Sequence, residues 1–208
     1  MRSVGNEQRK AGGFPRRPQR ETLYGVIHQV LHPTQQATSS ILSVAGRPLL
    51  AQQLEWLLGA GCDRVVVEVA DDAAGFEAMR WIGQHYALGT DVLLASRGAG
   101  GLRELARRVG IASHDALVAI PADTLGDMPV RQLAQASNAY GVVALFHPPQ
   151  GCESLAGATI RVVRAPMRHG PTMVQGPGWG ARVRSAQDAE LLSQWIASNA
   201  RERERVAS

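Results

Sequence analysis

The chain has 208 residues, 45% of them hydrophobic, enough for one sizeable core and too few for two domains of typical size. Its net charge of +4 would suit a polyanion binder if it were spread over the fold, but residues 1–20 hold six basic side chains against Glu7, and the rest of the chain is close to neutral. Two cysteines, Cys62 and Cys152, are too few for a disulfide framework, and no stretch approaches the ~18 consecutive apolar residues of a membrane span.

Residues 1–21 form a basic arm rich in Gly, Pro, Arg and Gln, with no hydrophobic period, and are expected to be disordered. Without interleaved aromatic residues or a basic stripe, the arm reads as a solubilising leader rather than as a contact for RNA or an anionic membrane, although its charge alone suits either. It also lacks the apolar stretch of a secretory signal, so a soluble, cytoplasmic protein is expected. The folded domain is expected over 22–200, with a frayed charged tail over 201–208.

Leu23–Ile27 reads as a first buried strand, followed by a long polar loop from His28 to Ser40. Pro48 suits the first position of a helix in which Leu50, Leu54, Leu57 and Leu58 share one face, and Gly61 suits its end. Arg64–Ala70 is a valine-rich strand, and Asp71 and Asp72 then suit the start of a helix carrying Phe76, Met79 and Ile82 on one side. The alternation continues with strand Val92–Ala95, helix Leu102–Val109, strand Ala116–Ile120, helix Val130–Ser137 and strand Val142–Phe146. Such an order predicts a three-layer, Rossmann-like α/β fold of the GT-A-like kind, a mostly parallel sheet with helices on both faces.

After Pro148 the pattern changes to a Gly-rich stretch, a strand at Thr159–Val163 and a Pro/Gly-rich passage up to Gly180. A last helix opens at a Ser185/Asp188 capping box and carries Ala189, Leu192, Trp195 and Ile196 at helical spacing. Three of the four tryptophans, Trp56, Trp81 and Trp195, fall on apolar helix faces and read as core, leaving Trp179 as the one suited to a ligand.

The run Ile41-Leu42-Ser43-Val44-Ala45-Gly46-Arg47-Pro48-Leu49-Leu50, leading into a helix and a valine-rich strand, resembles the sugar-1-phosphate nucleotidyltransferases, whose signature includes L-L-P-V-x-G-[KR]-P-L. Leu117 to Leu125 is similar to that family's strand ending in a metal-binding aspartate, here Asp123, and Gly98 to Leu102 to its nucleotide-side loop. Trp179 to Asp188 resembles its W-x-D-I-x-T-x-x-D segment.

The resemblance implies transfer of a nucleoside monophosphate from a triphosphate to a sugar phosphate, with release of pyrophosphate. Charge building on the α-phosphate would then be met by fixed donors, cations and Mg²⁺. It implies Gly25, Thr34, Gly98 and Gly100 on the nucleotide, Arg47, Trp179 and Arg182 on the substrate side, and Asp123 as catalytic and metal-binding residue.

Measured against that pattern, much of the chemistry is missing. With the glycine-rich loop laid over Gly25 to Ser39, Ile27 stands at its second glycine, His28 and Gln29 at its Thr-Arg pair, and Ser39 at its lysine. Lys10, in the arm, is the only lysine of the chain. Arg182 falls where the second metal-binding aspartate belongs, which places a guanidinium beside Asp123 in the position of the metal.

Three readings follow. One is a non-catalytic nucleotidyltransferase-like protein, a nucleotide sensor or the partner of a related active subunit. The second is an active, divergent nucleotidyltransferase, and the third a metal-dependent glycosyltransferase-like enzyme using Asp123 and Asp127 on a nucleotide-sugar. Asp127 also suits the cap of the helix after Pro129, and His28 and His32, four residues apart, read as ordinary loop histidines rather than zinc ligands because Pro33 follows. Homo-oligomerisation fits each reading.

Overall fold

A computed structural model of the chain describes residues 21–28, 42–69, 73–86, 88–96, 101–112, 114–136, 141–164 and 172–207. In chain order the elements are β1 (Leu23–His28), β2 (Ser43–Val44), β3 (Arg47–Pro48), α1 (Leu49–Gly59), β4 (Arg64–Val69), α2 (Ala73–His85), β5 (Val92–Ser96), α3 (Gly101–Arg108), β6 (Ala116–Pro121) and β7 (Thr124–Asp127). There follow α4 (Val130–Ala136), β8 (Val142–Phe146), β9 (Ala158–Arg164), β10 (Thr172–Gln175), β11 (Trp179–Arg182) and α5 (Ala186–Ala207).

Seven strands form one sheet in the order β10-β8-β9-β6-β1-β4-β5, parallel throughout except for β9, which runs antiparallel to both of its neighbours. Its centre, β6 beside β1 and β4, is built from β-branched and small residues buried on both faces, as parallel strands covered by helices require. One face packs Leu54 and Leu57 of α1, Ile82 of α2 and Leu133 of α4 against Ile27, Val67 and Ile120. The other packs Leu105 of α3 against Val26, Val66 and Ala119. The expected three-layer architecture is the observed one.

A second, two-stranded antiparallel ribbon of β7 and β11 lies against the β8–β9 region of this sheet, with Arg182 opposite Thr124 and Trp179 opposite Asp127. Helix α5 covers it through Ala189 and Leu192, which pack with Leu125, Ala181 and Val183. The Pro/Gly-rich passage before Gly180 therefore contains two strands, β10 and β11, that lack the alternating apolar pattern of a half-buried strand.

Local capping follows the sequence closely. Asp188 accepts from the backbone amides of Arg184 and Ser185, and the amide of Asp188 donates to Ser185 Oγ at 3.1 Å, the reciprocal box expected at the start of α5. Pro48 precedes α1 by one residue instead of opening it, with extended ψ of 134°. The α5 helix continues to Ala207, so the expected frayed tail is helical through the alternating Arg/Glu run. Phe76, expected on the buried side of α2 with Met79 and Ile82, is 57% exposed, because the buried side of that helix centres on Ala78 and Ile82. Asp71 and Asp72 lie outside the described residues.

Candidate functional site

Asp123 follows β6 at the carboxyl end of the parallel strands, the edge where open α/β sheets bind ligands. It is 6% exposed. Its carboxylate is clasped by Arg182, whose Nε donates to Oδ1 and whose Nη2 donates to Oδ2 at 2.5 Å. A second guanidinium approaches, with Arg184 Nε 3.4 Å from Oδ2. The approach of Arg182 to Asp123 expected from sequence is thus present, and Arg184, for which no motif gave a signal, joins it.

The backbone fixes this arrangement from both sides. Arg182 sits opposite Thr124 in the ribbon, so its side chain and that of Asp123, one residue earlier, meet at the ribbon's end. The amide of Val183 donates to the carbonyl of Asp123, and the amide of Arg182 donates to Ala156 O at 2.8 Å. Beneath them lies Gln53, fully buried in the middle of α1, whose Nε2 donates to the carbonyls of Ala122 and Thr124 at 3.0 and 2.7 Å and more weakly to Pro121. Gln53 therefore clamps the turn that presents Asp123. The signal for it was a polar residue placed within the Leu50, Leu54 and Leu57 stripe.

Gly25 does not lie where the resemblance puts it. It lies inside β1, paired with Val65 and Val118, rather than in a phosphate-binding loop. A Cβ there would stand 3.0 Å from Leu57 Cδ1 and 3.3 Å from Cys62 Sγ, so glycine is needed for α1 to pack closely on the sheet. Ile27, 1% exposed in the core, likewise belongs to the strand and occupies no phosphate's place. β1 runs on to His28, so Gly25 to His28 are strand and not the start of a glycine-rich loop. Thr34, Gly98 and Gly100 lie outside the described residues, as does His32.

The remaining candidates are spread apart. Arg47, on the β2–β3 hairpin, is engaged by Glu55 of α1 and its side chain is 53% exposed. Trp179 opens β11 rather than lying in a loop, at the opposite end of the ribbon from Arg182, and meets Trp195 edge-on at 5.0 Å between ring centroids. Asp127 ends β7, with Met128 and Pro129 between it and α4, so it does not cap that helix. Asp127 stands at the end of β7 opposite Trp179, while Asp123 precedes that strand and is held by Arg182. His28 stands 3.6 Å from Glu68, a buried carboxylate of β4 that Arg108 of α3 also approaches at 3.8 Å. Among the described residues no three His, Cys, Asp or Glu side chains cluster as metal ligands.

No protein-family model and no curated protein matches the sequence. Solved structures do match in three dimensions. HddC from Yersinia pseudotuberculosis, complexed with GMP-PN, superposes with a TM-score of 0.58 at 10% identity, covering 85% of this chain and 100% of that one. A Bacillus anthracis protein described as a glucose-1-phosphate thymidylyltransferase, solved with sucrose, gives 0.61 at 11% identity over 85% and 95% of the two chains. The 4-diphosphocytidyl-2C-methyl-D-erythritol synthase of Anaerococcus prevotii gives 0.57 at 9% identity over 85% and 99%. At these identities the likeness shows a shared fold, that of nucleotidyltransferases. Among the described residues no helix is long and apolar enough to cross a membrane.

Proposed function

We propose that the chain is a nucleotidyltransferase-like protein that has given up metal-assisted nucleotidyl transfer and binds a nucleotide phosphate through arginine, as a sensor or as the partner of a related active subunit. The observation that carries this reading is the Asp123 carboxylate, clasped by Arg182 with Arg184 beside it.

Mg²⁺ takes oxygen ligands in near-octahedral geometry and needs carboxylate oxygens turned towards it. Both oxygens of Asp123 already accept hydrogen bonds from one fixed guanidinium, and a second cation stands nearby. A divalent ion beside them would meet positive charge where the fold would otherwise supply a second carboxylate. The residues at this position do not fit Mg²⁺. They suit an anion instead, because two guanidinium groups against one carboxylate leave a surplus positive charge at the ligand edge of the sheet. Arg184, 34% exposed, retains donors beyond its contact with Asp123.

The test is calorimetric titration of the full chain with nucleoside triphosphates and nucleotide-sugars, each with Mg²⁺ and with chelator, followed by an assay for released pyrophosphate. Binding that is indifferent to Mg²⁺, weakened by Arg184→Ala and unaccompanied by pyrophosphate supports the proposal. Mg²⁺-dependent binding abolished by Asp123→Ala, with pyrophosphate released, overturns it in favour of an active divergent enzyme. That second reading draws on one feature, an acidic residue kept at the carboxyl end of the central strand.

A further inference from the structure

A cavity of about 580 Å³ opens between α1, the far end of the β7–β11 ribbon and α5, away from the Asp123 cluster. Its size is that of a small-molecule site. Trp56, Trp179 and Trp195 line it, together with Leu125 and Ile196. Three of the chain's four tryptophans thus converge on one space, from three different elements.

The polar groups around these indoles share one character. Among the described residues Asp127 is the only charged one in the lining, and none of them is basic. Gln52 spends its amide N–H groups on the carbonyls of Val44 and Arg47, at 2.8 and 3.1 Å, which leaves its oxygen. Asn199 spends one N–H on Trp195 O at 3.0 Å, which leaves its oxygen and a second N–H. Apart from the indole N–H groups and one N–H of Asn199, the side chains offer acceptors, one of them a full negative charge.

Such a lining repels phosphate and carboxylate. A small organic cation satisfies it, because aromatic faces attract a diffuse positive charge and one carboxylate compensates it. We propose that this cavity is a binding site for an organic ammonium ion, with the tryptophans around its apolar body and Asp127 as counter-ion. The site is independent of the reading given to Asp123, since it involves neither a nucleotide nor the arginines.

Choline and its neutral isostere 3,3-dimethylbutan-1-ol test it, being nearly equal in shape and different in charge. Each is titrated into the full chain at fixed ionic strength, read by tryptophan fluorescence and by calorimetry. Saturable choline binding is expected, at least tenfold tighter than that of the isostere and weakened about tenfold by Asp127→Asn. Absence of saturable choline binding, equal binding of the isostere, or an Asp127→Asn variant that melts like the parent and keeps full affinity would each overturn the proposal. The comparison of the two ligands on the unaltered chain needs no variant, so a misfolded Asp127→Asn leaves the outcome decisive.

Discussion

Arg182 donates from two nitrogens to the two oxygens of Asp123 across the end of the β7–β11 ribbon, 59 residues apart in sequence. The pair is mostly withdrawn from water, with side-chain exposures of 14% and 8%. Breaking a buried pair from one side leaves an uncompensated charge and costs about 3–5 kcal/mol.

Arg182→Asp should therefore lower the melting temperature well below that of the parent, because two carboxylates then face each other with only Arg184 close by. Millimolar Mg²⁺ should recover part of that loss in the variant and do nothing for the parent. Thermal melts of both proteins with Mg²⁺ and with chelator measure it, and a variant indifferent to Mg²⁺ would show that the ribbon end cannot form a metal site even when given two acids.

Gln53→Ala should destabilise the fold by roughly 2–3 kcal/mol, since it leaves buried carbonyls of the Asp123 turn without their donor. Denaturant unfolding followed by tryptophan fluorescence gives the value. A cost below about 0.5 kcal/mol would mean that the turn holds itself.

Gly25→Ala should cost about 1–3 kcal/mol, because its methyl group would press on Leu57 at 3.0 Å and on Cys62. The same variant should leave nucleotide affinity unchanged. A loss of nucleotide binding with unaltered stability would return Gly25 to the phosphate site.

Burial pushes the Cys62 thiol up to about 12 from 9.0. At pH 8 the native protein should resist iodoacetamide at this residue while the urea-unfolded chain reacts, as mass spectrometry of the peptide would report. Because the folded thiol holds its proton more tightly than the unfolded one, its contribution to stability is complete below pH 9 and is lost as pH rises from 9 towards 12. Cys62→Ala should flatten that part of the pH–stability curve.

The periodicity of hydrophobic residues made the sheet, α1 and the capping box at α5 legible, because each rests on side chains whose pattern belongs to one element. The β7–β11 ribbon was not legible. Trp179-Gly180-Ala181-Arg182 alternates no apolar and polar residues, and becomes a strand only because β7 and α5 supply its partners. The meeting of Arg182 with Asp123 was nonetheless visible, since the resemblance placed both at one site. Arg184 and Gln53 were missed for different reasons. Arg184 shares the site through the local geometry after β11, which spacing alone does not disclose, and Gln53 was hidden among leucines that explained the helix without it. Gly25 shows the opposite failure, a motif register that put a packing glycine in a loop.

The ribbon has a consequence for the order in which the protein can be made. Thr124 to Asp127 leave the ribosome long before Trp179 to Arg182, which follow strands β8 to β10. In the interval the parallel strands β1, β4, β5 and β6 can already pair, while the carboxylate of Asp123 has neither arginine and β7 shows a bare edge. The ligand-facing end of the sheet is thus completed last, and the amide of Ala45 reaches Ser193 Oγ only when α5 has arrived. A nascent chain stalled before residue 179 would hold β1, β4, β5 and β6 with an acidic corner at Asp123 that only the finished chain closes.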